Sequence, residues 1–151
     1  MATIHFTEQT TATPEQFVAS LTDFGPGRQQ VFRNTSDEFL RVHAQGDTHA
    51  DVTEGTKAAW ERLRYDWSDP NRVVMTTIDS NLWGGASGHT YTLTPQSDGT
   101  TRLDVVVVRE GKNFKGRVVG LLLGGVGKGA LGKALKQTVK AVEERNSLTR
   151  A

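Results

Sequence analysis

The sequence of 151 residues contains no cysteine, four prolines, two tyrosines and no long apolar run. Each shortage removes a class of answer. Without thiols there is neither a disulfide framework nor a thiolate metal site. A bilayer-crossing helix needs about 20 consecutive apolar residues, and the 36% hydrophobic content is nowhere concentrated to that degree. The opening Met1-Ala2-Thr3-Ile4-His5 lacks the basic and apolar segments of a secretory signal, so the expectation is a soluble chain in the cytoplasm. Catalytic signatures are missing too. His5, His43, His49 and His89 are scattered without ligand spacing, so no metal site is expected. Gly85-Ala86-Ser87-Gly88 has neither the spacing nor the strand-to-helix setting of a nucleophile elbow.

What is present fits one domain over 1–151, long enough to bury roughly 68–70% of its unfolded surface. Ile4, Phe6 and Glu8 alternate with His5 and Thr7 as a first strand would. Thr13-Pro14-Glu15 then reads as a helix start, with Thr13 as cap and Pro14 at the first position. That helix carries Phe17, Val18 and Leu21 inward and ends by Gly25-Pro26-Gly27, after which 28–33 can form a further turn or two. Six strands follow at roughly 38–45, 48–54, 58–67, 72–80, 86–95 and 100–110, separated by turn signals at Gly46-Asp47, Asp69-Pro70-Asn71, Asn81 and Asp98-Gly99. From about 113 to 146 the pattern is helical, with Leu131, Leu135, Val139 and Val142 as its inward stripe.

This order, sharpest in the hairpin Tyr91-Thr92-Leu93-Thr94-Pro95-Gln96-Ser97-Asp98-Gly99-Thr100-Thr101-Arg102-Leu103, resembles the helix-grip (SRPBCC) superfamily of START-related lipid-transfer and polyketide cyclase/dehydrase-like proteins. The resemblance implies an α+β fold. A curved antiparallel sheet of about seven strands would wrap a long C-terminal helix, with two short helices after the first strand and a cavity between sheet and last helix. It also implies a hydrophobic small molecule or lipid as partner and no cofactor. The alternative it implies is a polyketide cyclase/dehydrase-like enzyme acting in the same cavity.

Alternation sets the inward face. His89, Tyr91 and Leu93 share one side of their strand, opposite Thr90, Thr92 and Thr94, which should meet solvent. Leu103, Val105 and Val107 fall together, as do Leu63, Tyr65 and Trp67. These nine, with Trp83, are the expected ligand contacts from the sheet side. Tracing the helix stripe back from Leu131 gives Gly127, Gly124 and Gly120, which complete the candidate set. Three glycines on one face cost about 0.5–1 kcal/mol each against alanine. Close packing on the sheet, a break near Gly124-Gly125, or room for a ligand would each explain them.

His89 beside Tyr91 is the best candidate for chemistry, since the pair can orient a polar group or shuttle a proton inside an apolar cavity. Alternation would also bury the two as ordinary core residues. Glu61, Asp66, Asp79 and Asp104 are expected mostly on wet faces. Gly127-Lys128-Gly129-Ala130-Leu131-Gly132 imitates a dinucleotide motif, but only 19 residues follow Gly132, too few for the strand and acid that such a site needs. Charge is uneven: 1–108 hold eight Lys/Arg against fourteen Asp/Glu, and 109–151 hold ten against three. The basic end is either a solvated face or a phosphate-seeking one. Val118, Val119, Leu121, Leu122 and Leu123 among Lys112, Lys115, Arg117 and Lys128 leave transient contact with an anionic membrane surface open. Nucleic acid is not expected, because aromatic residues do not interleave the basic ones.

Overall fold

The computed structural model describes residues 1–32, 35–125 and 127–149, without the side chains of 148 and 149. Strand β1 (Ala2–Thr10) leads into helix α1 (Pro14–Leu21), where Thr13 and Gln16 cap each other: the Thr13 hydroxyl accepts from Gln16 N and the Gln16 side chain accepts from Thr13 N. This reciprocal arrangement satisfies two amide groups that a helix start otherwise leaves unpaired. A single turn, α2 (Arg28–Val31), follows; Arg33, the end of the expected helical stretch, lies outside the described residues.

Six strands then run as a meander: β2 (Arg41–Gln45), β3 (His49–Gly55), β4 (Trp60–Asp66), β5 (Arg72–Ser80), β6 (Gly88–Pro95) and β7 (Thr101–Arg109). Every neighbouring pair is antiparallel, and β1 joins on β7 to give the order β1-β7-β6-β5-β4-β3-β2. The expected strand at 38–45 starts three residues late. Asp37–Phe39 form a 3-10 turn instead, held by the Asp37 carboxylate accepting from Gly27 N and Gln29 N. At the Asp98-Gly99 turn Gly99 takes φ +86°, a left-handed conformation that glycine enters without steric cost.

The concave face of the sheet packs on α1 and on α4 (Gly127–Thr149). Ile4, Val52, Leu63, Tyr65, Val73, Leu93, Leu103 and Val105 meet Phe17 and Leu21 of α1 and Leu135, Val139 and Val142 of α4 in one buried cluster. The helical region, whose glycines left a break near Gly124-Gly125 open, is two elements. α3 (Phe114–Gly124) ends at Gly125, and its axis departs from that of α4 by 74°. Of the three explanations for Gly120, Gly124 and Gly127, the break is the one the structure shows. Gly116 lies so near the sheet rim that a Cβ there would collide with Leu82 O, so α3 follows the rim while α4 follows the groove. Among the described residues no single helix is long and apolar enough to cross a membrane.

Two alanine substitutions should move stability in opposite directions. Gly129 is helical with open space around it, so Gly129→Ala is expected to stabilise by about 0.5–1 kcal/mol. Gly116→Ala must push α3 off the Leu82 carbonyl and is expected to destabilise by about 1–3 kcal/mol. Urea denaturation midpoints measure both, and equal shifts would contradict the packing described.

Candidate functional site

The strict alternation of the strands continues past their apolar runs, and this puts charge into the interior. On the concave face β3 carries Ala50, Val52 and Glu54; β4 carries Glu61, Leu63 and Tyr65; β7 carries Leu103, Val105, Val107 and Arg109. At the hairpin end Leu93 pairs with Leu103, and α1 and α4 fill the groove above them. Farther along, past Tyr91 and Val105, the helices stand away. A cavity of about 500 Å³ opens there, roofed by Val119 and Leu123 of α3 and by Leu131, Ala134, Leu135 and Thr138 of α4. Its floor holds Leu63, Met75, Tyr91, Val105 and Val107, and its walls Phe6, Phe32, Leu82 and Trp83. The size falls in the usual range for small-molecule pockets.

Two charged clusters border this apolar space. In the first, the Arg28 guanidinium lies between the Phe24 and Phe32 rings, 4.6 and 4.5 Å from their centroids, and donates to Glu54 Oε1 at 3.3 Å and Tyr65 Oη at 2.9 Å. The Tyr65 hydroxyl in turn donates to Glu54 Oε2. Burial, then the Glu54 charge, pushes the Tyr65 phenol well above its ordinary range, so it stays protonated. In the second, Arg109 donates to both oxygens of Glu61 at 3.0 and 2.8 Å, and Thr77 Oγ1 donates to the same carboxylate at 2.8 Å. Burial works to raise the Glu61 carboxyl, but the charge of Arg109 and these hydrogen bonds hold it below the usual range. Arg109 also lies 5.1 Å over the Trp83 ring and approaches His89 Nε2 at 2.6 Å.

That last contact settles the state of His89. A guanidinium has no acceptor, so Nε2 must accept and the imidazole proton sits on Nδ1. Burial, then the Arg109 charge, lowers the His89 pKa to about 4, so the ring is neutral at pH 7. Tyr91, two residues on along the same face, is raised to about 12, chiefly by burial. Among the described residues neither Tyr91 Oη nor His89 Nδ1 has a hydrogen-bond partner, yet no side-chain nitrogen or oxygen sealed from solvent lacks one. Both atoms therefore keep access to the cavity, as donors available to a ligand.

Of the sequence-derived candidates, Leu63, Tyr65, Trp83, His89, Tyr91, Val105, Val107 and Leu131 line the cavity. Leu93 and Leu103 are buried in the core at the filled end, and Trp67 packs beside the core just beyond β4. Gly120 does not share the Leu131 face, because the chain turns between α3 and α4, whereas Gly127 lies one turn before Leu131 on the same face of α4. Gly120 sits over Trp83, and Gly127 abuts the last turn of α3, where a Cβ would be 2.9 Å from Leu122 O. The face presented by Gly124 lies outside the described residues. Glu61 corrects the expectation of a wet face: its side chain is 13% exposed and borders the cavity, as its alternation with Leu63 and Tyr65 requires. Glu54 and Arg109 were legible by the same rule, since each extends an apolar every-second-residue run by one step. Arg28 carries no such signal; its place depends on the rings around it.

No protein-family model and no curated protein sequence matches the chain. Solved structures do. TTHA0849 from Thermus thermophilus superimposes with TM-score 0.73 at 16% identity, covering 99% of both chains. A START superfamily protein from Mycobacterium smegmatis gives 0.67 at 15%, covering 96% of this chain and 97% of its own. The Zhui aromatase/cyclase from Streptomyces sp. R1128 gives 0.69 at 13%, covering 95% and 92%. The fold is therefore the helix-grip, START-like fold that the order of elements resembles.

The lowered pKa of His89 has a measurable consequence. Between pH 6.5 and about 4 the unfolded chain binds a proton at this position that the folded chain refuses, so stability falls as pH falls through that window. At about 1.4 kcal/mol per unit, 2.5 units amount to on the order of 3 kcal/mol. An NMR titration of the His89 ring should show a midpoint near 4, and His89→Gln should flatten the stability loss in this window. A midpoint at 6.5 or above would contradict the buried, Arg109-bonded imidazole.

Proposed function

We propose that this chain binds an uncharged, largely apolar small molecule or lipid in the cavity between sheet and helices, gripping one acceptor oxygen with Tyr91 Oη and His89 Nδ1. The observation that carries this reading is the pair of unpartnered donors in an otherwise apolar, internally neutralised space. Charge decides the ligand class. Arg28 is paired with Glu54 and Arg109 with Glu61, so among the described residues bordering the cavity an anionic ligand meets no uncommitted cation and a cationic one no uncommitted carboxylate. Burying such an ion without a partner costs several kcal/mol, more than its apolar part recovers. A carbonyl, ether or hydroxyl oxygen asks only for the donors that are free.

The alternative is a cyclase-like enzyme in the same cavity. The two donors that would hold a ligand carbonyl would also stabilise an enolate forming on it. For that chemistry a base is needed as well. His89 is ill suited to the task, since its Nε2 is occupied by Arg109 and its pKa lies well below 7.

A neutral solvatochromic probe, Nile red, should bind one saturable site and be displaced by apolar ketones more readily than by fatty carboxylates of equal length. Tyr91→Phe should keep the fold, because its hydroxyl has no partner among the described residues, and should weaken ketone binding about threefold to tenfold while leaving hydrocarbon displacement unchanged. Absence of saturable binding, or preference for the carboxylates, would overturn the reading. Turnover of a poly-ketone chain by the wild type would favour the enzyme.

A further inference from the structure

The outer face of α3 is built unlike any other surface of the described chain. Phe114, Val118, Leu121 and Leu122 are 83, 40, 80 and 58% exposed, whereas apolar residues elsewhere are mostly covered. At 3.6 residues per turn the four fall within an arc of about 100°, one continuous stripe. Arg117 borders the stripe on one side and Lys115 on the other, both exposed, with Lys112 and Lys128 at the two ends. Lys112 is paired with Asp79; among the described residues Lys115, Arg117 and Lys128 have no acidic partner. The opposite face of α3 is committed to the protein, with Gly116 tight on Leu82, Gly120 in contact with Trp83, and Val119 and Leu123 facing the cavity. The stripe is thus not turned inward by any rotation the packing allows.

From this arrangement we infer that α3 is a docking surface for an anionic lipid bilayer. The helix lies in the interface, Phe114, Leu121 and Leu122 enter the acyl region, and Lys115, Arg117 and Lys128 meet the head groups. The two components are those an interfacial helix needs: apolar burial a few ångströms deep and about one favourable charge contact for each Lys or Arg near the surface. A second copy of the chain fits less well. Face-to-face pairing of two such helices would bring like charges together along both rims, and four side chains fall short of the roughly 800 Å² per partner of a stable interface. The docking surface is independent of what the cavity holds. It does add a route, because the helix that would rest in the bilayer is the one whose other side roofs the cavity.

Cosedimentation with vesicles tests it. The wild type is expected to bind phosphatidylcholine vesicles containing phosphatidylglycerol and to bind pure phosphatidylcholine weakly. Leu121→Ser with Leu122→Ser should reduce the partition coefficient at least about tenfold. Lys115→Glu with Arg117→Glu should reduce it by a similar factor on anionic vesicles only. Both pairs are surface residues, and circular dichroism checks their fold. As a reading that does not depend on those variants, Phe114→Trp should shift its emission to the blue on anionic vesicles relative to wild type. Equal binding of wild type and the leucine variant, an unshifted emission at position 114, or lipid-independent dimerisation lost in the leucine variant would overturn the inference.

Discussion

One guanidinium ties the sheet to the helices. Arg109 ends the inward run of β7, holds Glu61 on β4 with two bonds, donates to His89 on β6 and lies under Trp83 in the loop before it. Trp83 then carries Gly120 of α3. A cation this poorly solvated must have its hydrogen bonds returned by the protein, and each group that returns one is thereby fixed. The orientation of Glu61, the tautomer of His89 and the seat of α3 all follow from where that charge sits.

The second dependence is geometric. α3 does not continue the axis of α4. The turn of 74° between α3 and α4 sends the chain along the rim instead. Because the rim approach requires glycine at 116, one face of the same helix is pressed onto the protein and another is left uncovered. Cavity roof and exposed apolar stripe are two faces of that helix.

The charged pairs set the electrostatic character of the cavity. Four buried charges that cancel locally leave an apolar volume with low net field, in which two neutral donors, Tyr91 Oη and His89 Nδ1, are the distinguishing features. A phenol raised to about 12 and an imidazole lowered to about 4 remain hydrogen-bond donors throughout the physiological range. On the proposed reading, such a site would discriminate by shape and by a single oxygen rather than by charge.

The succession of strands along the chain, the capped first helix, the Asp98-Gly99 hairpin and the inward alternation of Leu63, Tyr65, His89, Tyr91, Val105 and Val107 were determined by local pattern, since period two and turn chemistry act over a few residues. The same alternation already placed Glu54, Glu61 and Arg109 inside, although a charged residue reads as surface until a partner is known. That partner is what only tertiary structure supplies. Glu61 meets Arg109 across 48 positions and Arg28 meets Glu54 across 26, through contacts no window of sequence contains. Leu93 and Leu103 became core rather than cavity because α1 and α4 fill that end of the groove. The break at Gly124-Gly125 stood among the readings of the helix pattern. Its direction, which turned Gly120 onto Trp83 and Leu121 outward, was decided by the closeness of Gly116 to the sheet rim.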